Sequence, residues 1–206
     1  LFGQAFAAQT IGFGLEVERP CQTPEPPVVE VDFTAAQWGY GWSFPKASSQ
    51  TIGVGGIKSR NPDLASAMQR YLKQTSPDTP EAKVKGHYLP FGAFRKTPGQ
   101  DAILLVGDAA GLVDPITGEG IALALESGAL AAQASIDALA QDAQSSAYRR
   151  YKTALKPIHR DLVLARRLRW LIFPKAVQSQ FHKSFAHGST LPAKFLGLLA
   201  GTISYQ

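Results

Sequence analysis

Residues Ile103 to Ile121 read ILLVGDAAGLVDPITGEGI, and this stretch decides how the whole chain is interpreted. A short apolar run ends at Gly107-Asp108, after which small residues, a proline turn and two glycines open a long helix rich in Ala and Leu. This order predicts a strand that brings the Asp108 carboxylate to a sheet edge, with a helix N-terminus at the same place. Asp108 can accept hydrogen bonds from sugar-like hydroxyls, and unpaired N–H groups around Gly118–Ile121 can face an electron-rich ligand.

The composition of the chain excludes several classes of protein. Its 206 residues are 45% hydrophobic and 18% charged, which is typical of a soluble globular protein. Cys21 is the only cysteine, so we expect neither a disulfide framework nor a cysteine metal cluster, and a reducing, cytoplasmic location. No apolar run approaches the roughly 18 residues needed to span a bilayer, and no signal peptide is recognised. A first residue of Leu1 rather than Met indicates a fragment.

The charge is distributed unevenly along the sequence. Residues 149–194 contain eleven Lys and Arg and a single acid, whereas residues 1–148 contain ten basic and fifteen acidic residues. A basic tail on an acidic body predicts a local partner such as anionic lipid or an acidic protein. Nucleic acid is not expected, because no nucleic-acid-binding motif accompanies the charge.

One segment of this tail, Arg166-Arg-Leu-Arg169-Trp-Leu-Ile-Phe173, has two interpretations. It is either a solvated helix face whose apolar stripe packs on the body, or an interfacial membrane contact. In the second case the arginines would lie at lipid headgroups, with Trp170 and Phe173 inserted into the membrane surface.

Short segments rich in β-branched and aromatic residues, separated by Pro, Gly or Ser clusters, predict antiparallel strands. Ala102–Val106 is apolar without alternation, which predicts a strand covered on both faces. Pro62–Gln74 predicts a helix with Asn61 as its N-cap and proline at its first position, and Gly118–Ala140 predicts a long helix. The predicted antiparallel strands are Thr10–Glu18, Val28–Phe33, Tyr40–Phe44, Thr51–Ile57 and Lys83–Leu89.

The sequence beyond Ser145 predicts helices only, with breaks or kinks at Pro157, Pro174 and Pro192. The chain is therefore expected to be an α+β protein in three parts. These are a sheet-rich region (1–98), a strand–turn–helix region (99–143) and a basic helical tail (144–206).

A complete dinucleotide-binding domain would begin with a strand and a Gly-x-Gly-x-x-Gly turn opening a helix. The one similar stretch, Gly53-Val-Gly55-Gly56, lies between predicted strands and is not followed immediately by a helix. We therefore expect the main phosphate-binding half of such a domain to be absent.

A second pattern is aromatic: Tyr40-Gly-Trp42-Ser-Phe44-Pro45, followed after seven residues by Gly53-Val-Gly55. Strand alternation places Tyr40, Trp42 and Phe44 on one face. That face is either an ordinary core face or the wall of a cavity for an apolar ligand.

The run Gly107-Asp-Ala-Ala-Gly111, continued by Asp114-Pro-Ile-Thr-Gly-Glu-Gly120, resembles the second flavin-contact motif of FAD-dependent oxidoreductases of the hydroxylase and geranylgeranyl reductase type. The resemblance implies FAD as cofactor, with Asp108 on the ribityl hydroxyls and the glycine turn along the isoalloxazine ring. Without it, Asp108 would be a strand-end aspartate that caps the next turn. The implied cofactor-binding residues are Gly107, Asp108, Pro115, Gly118, Gly120 and Ile121.

The aromatic pattern resembles the Tyr-x-Trp-x-Phe-Pro…Gly-x-Gly motif that lines the prenyl cavity of the geranylgeranyl reductase family. Gly111 favours the same family, because many aromatic hydroxylases carry His at this point of the motif. The implied substrate-binding residues are Tyr40, Trp42, Phe44, Pro45, Gly53 and Gly55.

The implied function is the FAD-dependent reduction of carbon–carbon double bonds in a prenyl lipid, by an enzyme of which this chain is a part that is inactive alone. The electron donor is open between NADPH and a ferredoxin-like protein, and a membrane-surface contact would suit such a substrate. Two alternatives remain: an FAD-dependent aromatic monooxygenase and an electron-transfer flavoprotein-type quinone oxidoreductase. No catalytic residue and no metal site is assigned.

Overall fold

The computed structural model of the chain describes residues 6–20, 27–76, 83–91, 93–140 and 147–205, so that Cys21 lies outside it. The chain divides into two compact units, one of Ala7–Leu89 and one of Pro90–Gln206 with Leu1–Phe6. The expected α+β class is confirmed, since an antiparallel sheet precedes a series of helices. The three-part division at residues 98 and 143 stays a prediction.

The first unit is built on a five-stranded antiparallel sheet, and all five predicted strands are confirmed with small shifts of their ends. The strand order is β2-β3-β4-β1-β5. The strands are β1 (Gly12–Pro20), β2 (Glu30–Asp32), β3 (Gly39–Pro45), β4 (Ser49–Ile57) and β5 (Lys85–Leu89).

One helix, α1 (Leu64–Thr75), covers one face of this sheet. Its apolar side packs into a core with alternate residues of β1 and β4, because strand side chains point to opposite faces in turn. The core residues include Val17, Ile52, Val54, Leu64, Met68 and Tyr71.

The start of α1 differs from the sequence prediction. Asp63 is the N-cap, and its carboxylate accepts a hydrogen bond from the Ser66 amide at 3.1 Å. The prediction of Asn61 as N-cap was wrong, because the Asn61 side chain is used elsewhere. Its Nδ2 donates to the carbonyl oxygens of Gln37 at 2.7 Å and Ile57 at 2.8 Å, which ties two loops together.

The second unit contains a β-hairpin and a set of helices. Its core is formed by Leu112 from the motif segment and by apolar residues of three helices, among them Tyr151, Leu155 and Leu162. Its elements are β6 (Gly99–Gln100), β7 (Ile103–Leu104), α2 (Gly107–Ala110), α3 (Ile121–Ala140), α4 (Ala147–Ala154), α5 (Lys156–Leu168), a 3₁₀ turn (Arg169–Leu171), α6 (Lys175–His187) and α7 (Thr190–Leu199).

The strand predicted at Ala102–Val106 is reduced to β7, which pairs antiparallel with β6 through a tight turn. The prediction that it is covered on both faces was wrong for this chain, since Ile103 is 43% exposed. The physical reason is local pairing: Asp101 adopts a left-handed φ of 54° that folds the strand back on its neighbour. The described residues contain no parallel strand beside it.

The predicted long helix is confirmed as α3, but it begins at Ile121 rather than at Gly118. Gly118 has a φ of +71°, which no helical residue adopts. The prolines fall at helix starts, where the missing N–H costs nothing. Pro157 and Pro174 mark helix boundaries as predicted, whereas Pro192 lies in the first turn of α7 without breaking it. Within the described residues, no helix is both long and apolar enough to cross a membrane.

A half-buried histidine in the second unit predicts how stability depends on pH. His159 stacks on Phe94 with ring centroids 4.4 Å apart, and its Nε2 is buried with no hydrogen-bond partner among the described residues. Burial lowers the pKa of His159, and the charge of Lys152 lowers it further. The unfolded chain therefore takes up a proton first as the pH falls through about 6.5.

We expect the free energy of unfolding to decrease between about pH 7 and pH 5 for this reason. Urea unfolding at a series of pH values measures the slope. His159→Phe keeps a ring against Phe94 and removes the titration, so its slope should be shallower. An unchanged slope would show that His159 does not cause it.

Candidate functional site

The segment after β7 turns sharply at two glycines. Gly107 has a φ of +50° and Gly111 a φ of +75°, and the single-turn helix α2 lies between them. A Cβ at Gly107 would lie 3.0 Å from Cβ of Ala124, so this residue also allows the turn to approach α3. The small residues predicted to permit close backbone approach therefore serve packing inside the protein as well as any ligand.

Gly111, which distinguishes this motif from the hydroxylase pattern, has a local structural requirement. A Cβ there would lie 2.7 Å from the carbonyl oxygen of Ala93 and 2.8 Å from Cα of Phe94. Neither contact can be relieved by moving a flexible side chain, and the left-handed φ adds strain for any other residue. A histidine at this position would require the backbone of this chain to shift.

Asp114 organises the turn that follows. Its Oδ1 accepts hydrogen bonds from the amides of Ile116 at 2.8 Å and Thr117 at 2.7 Å, and from the Thr117 hydroxyl at 3.0 Å. Asp114 is buried, and its amide donates to the Glu119 carbonyl at 2.7 Å. Oδ1 of this carboxylate therefore holds the glycine turn in shape.

The N-terminus of α3 is only partly satisfied by the protein. The Glu119 carboxylate accepts from the Ala122 amide at 2.6 Å, and the Gly118 amide donates to Asp114 at 2.9 Å. The amides of Gly120 and Ile121 donate to no acceptor recorded in the described part of the chain. Of the donors expected to be free at Gly118–Ile121, these two remain available to a ligand.

Asp108 lies directly beside these free donors. Its side chain is exposed, and its Oδ1 is 3.4 Å from the point where a Cβ of residue 120 would be. Gly120 thus leaves open the space in front of the carboxylate. An exposed acceptor and two amide donors at a helix N-terminus can bind one ligand that carries both hydroxyls and an electron-rich edge.

The remaining predicted cofactor residues differ in accessibility. Ile121 is 79% exposed and is the first residue of α3. Pro115 is buried and lines a small cavity with Phe94 and Leu162. The structure therefore brings together Asp108, Gly120 and Ile121 most clearly, while Gly107 and Gly118 shape the turns between them.

Two buried hydrogen bonds hold the backbone of the motif, and no sequence pattern predicted them. The Gly107 amide donates to Ser127 Oγ at 3.0 Å, and the Tyr151 hydroxyl donates to the Leu105 carbonyl at 2.7 Å. Burial raises the pKa of Tyr151 to about 12, so its hydroxyl remains a donor at neutral pH. Ser127 and Tyr151 belong to α3 and α4, so both helices fix the backbone that carries Asp108.

Ser127→Ala is expected to lower the free energy of unfolding by about 1–3 kcal/mol, because the buried Gly107 amide loses its acceptor. Ser135→Ala on the same helix is the matched control. Within the described residues, the Ser135 hydroxyl donates only to the Ala131 carbonyl of its own helix, so we expect a change within about 0.5 kcal/mol. Equal stabilities of the two variants in urea unfolding would contradict the assigned role of Ser127.

The C-terminal residues form a pocket against the same turn. It has a volume of about 360 Å³, and its lining includes Asp114, Glu119, Asp161 and Tyr205. Burial raises the pKa of Tyr205, and the nearby Asp114 carboxylate raises it further. The chain end therefore covers one side of the motif, which sequence periodicity did not indicate.

The aromatic pattern of the first unit lies on the sheet face opposite α1. Gly39, Gly41 and Ser43 are the buried residues of β3, and a Cβ at Gly41 would lie 2.8 Å from the Tyr71 ring of α1. The alternate residues Tyr40, Trp42 and Phe44 are half-buried. Their centroids are 5.9 Å apart for the first pair and 6.4 Å for the second, a continuous aromatic row. We call this surface the aromatic face; the core of this unit lies on the other side.

The two glycines of the pattern explain how the indole of Trp42 lies. Trp42 pairs with Gly53 across the β3–β4 ladder, and Tyr40 pairs with Gly55. A Cβ at Gly53 would overlap the indole ring, and one at Gly55 would lie 3.3 Å from it. Because Gly53 and Gly55 have no side chains, the indole lies flat across the neighbouring strand. The six predicted residues therefore lie together on β3 and β4, and the half-buried Pro45 ends β3.

The chain is similar to known proteins in sequence and in fold. No protein-family model matches the sequence. The digeranylgeranylglycerophospholipid reductase 1 of Methanopyrus kandleri is 33% identical over 132 residues, which is 60% of this chain and 35% of the relative. The digeranylgeranylglycerophospholipid reductase 2 of Methanosphaera stadtmanae is 38% identical over 104 residues, 48% of this chain and 26% of the relative.

Among solved structures, a geranylgeranyl bacteriochlorophyll reductase-like protein from Thermoplasma acidophilum matches with a TM-score of 0.73 and 20% identity. The match covers 95% of this chain and 56% of that one. The chain therefore has the fold of part of that structure. In sequence, the chain is similar to digeranylgeranylglycerophospholipid reductases over about half of its length. The matched region spans about a third of the length of the curated relatives.

Proposed function

We propose that this chain is part of a flavin-dependent reductase that saturates carbon–carbon double bonds in a geranylgeranyl-type prenyl chain. The observation that carries the proposal is the aromatic face, where Trp42 lies flat over Gly53 and Gly55. A row of three aromatic side chains suits a flexible polyene, and the exposed acids Glu16 and Glu18 of β1 border the row on the same sheet face. The names of the homologous reductases agree with such a substrate.

The flavin would be held by the motif of the second unit. Its residues fit this cofactor on structural grounds, because Gly120 leaves space before the Asp108 carboxylate and the Gly120 and Ile121 amides are free. Asp108 would bind the ribityl hydroxyls, and the α3 N-terminus would orient the ring through its amides. When bound, FAD supplies the hydride. Nothing in the chain has the Gly-x-Gly-x-x-Gly turn that would hold the nucleotide end.

The protein's own contribution would be binding, orientation and exclusion of water. Burial of a prenyl chain contributes about 0.8 kcal/mol per CH₂, so an apolar wall can hold a twenty-carbon chain firmly. A proton must also reach the carbon next to the one that accepts hydride. Tyr40, on the aromatic face, carries the hydroxyl that we propose as the first candidate for this role. The donor of electrons stays open between NADPH and a ferredoxin-like protein.

The test is mass spectrometry of geranylgeranyl lipids incubated without oxygen with the protein, expressed with its natural flanking sequence, and chemically reduced FAD. We expect a gain of two hydrogens for each saturated bond. A product that forms only with oxygen would instead identify a monooxygenase. Rapid oxidation of the flavin by a quinone, with no alkene change, would identify an electron-transfer flavoprotein.

A second arm uses the 206-residue chain alone. We propose that it is inactive, because the adenine end of the cofactor has no binding residues here. Purification of this chain with stoichiometric yellow flavin would contradict that part of the proposal and leave the choice of reaction open to the lipid assay.

A further inference from the structure

The helix α5 has one buried side and one basic, solvent-facing side. Ile158, Leu162 and Ala165 face the core. On the opposite side the helix forms a shallow groove of about 380 Å³, and three cationic residues alternate along it with two aliphatic ones. At 100° per residue these positions fall on a single face. The residues of this outer face are Lys156, Arg160, Val163, Leu164 and Arg167, and His159 also lines the groove.

Two large, exposed apolar side chains follow α5 directly in the sequence. Trp170 is 61% exposed and Leu171 is 64% exposed, both in the 3₁₀ turn that follows α5. Their neighbours in the sequence behave differently. Arg169 is buried, with its guanidinium 5.3 Å from the Phe91 ring centroid, and Phe173 is buried as well. The interpretation that Phe173 inserts into the membrane surface was therefore wrong, because this side chain is buried.

We propose that the outer face of α5, with Trp170 and Leu171, binds the surface of an anionic lipid bilayer. Charge complementarity favours this occupant, since residues 149–194 contain eleven basic residues and a single acid, Asp161. Asp161 lines the pocket at the C-terminal residues and is not among the residues of the α5 groove. Basic residues beside an exposed Trp and Leu are the composition of a helix that lies in the membrane interface.

The positions of these side chains indicate which part of the bilayer each would contact. The cationic groups of Lys156, Arg160 and Arg167 would contact lipid headgroups, and Trp170 and Leu171 would enter the acyl boundary. This binding requires neither flavin nor reduction of any substrate. The proposal therefore goes beyond the proposed function, and either can fail without the other.

The experiment is sedimentation of the chain with vesicles of phosphatidylglycerol and phosphatidylcholine in equal parts, and with phosphatidylcholine alone. We expect binding to the anionic vesicles that weakens with added salt, and little binding to the neutral ones. Arg160→Gln with Arg167→Gln should weaken it about 30-fold, since each basic residue contributes near the surface. Trp170→Ala with Leu171→Ala should weaken it about tenfold.

The matched control is Arg70→Gln with Lys73→Gln, which removes the same charge from exposed positions of α1 in the other unit. It should bind as the unaltered chain does, and circular dichroism should show that all variants are folded. Binding that the Arg70 and Lys73 variant loses as strongly as the Arg160 and Arg167 variant would reveal a non-specific charge effect and overturn the proposal.

Three further results would also overturn it. The first is that the unaltered chain does not bind anionic vesicles. The second is that it binds no vesicles but associates with itself, and that the Trp170 and Leu171 variant does not. The third is equal binding to soluble polyglutamate that survives loss of these two residues, because it would assign the face to an acidic protein.

Discussion

Gly53→Ala is expected to lower the free energy of unfolding by about 1–3 kcal/mol. The new methyl group would overlap the indole of Trp42 and lie 2.7 Å from the backbone oxygen of Leu15. The backbone of β1 cannot retreat without breaking its ladder with β4, so the indole must leave its position over the strand. Urea unfolding of the chain measures the loss.

Gly128→Ala is the control for this substitution. Gly128 lies within α3, where a Cβ would meet nothing within 4 Å, so alanine should raise stability by about 0.5–1 kcal/mol. Removing the clashing partner gives a second check, since Trp42→Ala with Gly53→Ala should cost less than the sum of the single changes. If the two stability losses were fully additive, Gly53 would not be needed to make room for the indole of Trp42.

Asp108→Ala is expected to weaken FAD binding about 10- to 100-fold in the protein expressed with its natural flanking sequence. Hydrogen bonds to a charged group contribute roughly 1.5–3 kcal/mol each, and the carboxylate is the exposed acceptor in front of Gly120. Stability should change little, because no hydrogen bond of this side chain to the described residues is recorded. Titration of the flavin, followed by its fluorescence, measures the affinity.

Asp101→Asn is the charge-matched control for Asp108. Asp101 is exposed in the β6–β7 turn with a φ of 54°, which asparagine also tolerates. It should bind FAD normally. Equal affinities of the Asp108 and Asp101 variants would remove Asp108 from the cofactor site, whereas a large loss of stability in Asp108→Ala would show a structural role instead.

Local patterns accounted for the elements of the fold. Alternating aromatic and β-branched residues predicted each strand of the first sheet, and the Ala- and Leu-rich run predicted α3, because both depend on side chains a few residues apart. The predictions were wrong where groups that are distant in the sequence compete for the same side chain. Asn61 is a reasonable N-cap by sequence, yet Gln37 and Ile57 occupy its amide and Asp63 caps the helix.

The candidate sites divide in the same way. The aromatic row and the glycine turn were visible as motifs, since each is carried by consecutive residues. Their support was not visible: Ser127 and Tyr151 lie 20 and 46 residues from the backbone groups that they bind. Ordinary helical residues acquire such roles only when packing brings them to an unsatisfied amide or carbonyl.

By itself, the sequence determined that this chain contains an antiparallel sheet with one aromatic strand face and a strand–turn–helix motif with an aspartate. These properties follow from residue type and spacing along the chain. Only the tertiary structure decided that the aromatic face lies opposite the core, that Gly53 receives the indole of Trp42, and that Gly120 opens the space before Asp108. Each depends on strand register or on the approach of distant backbone, which sequence spacing does not specify.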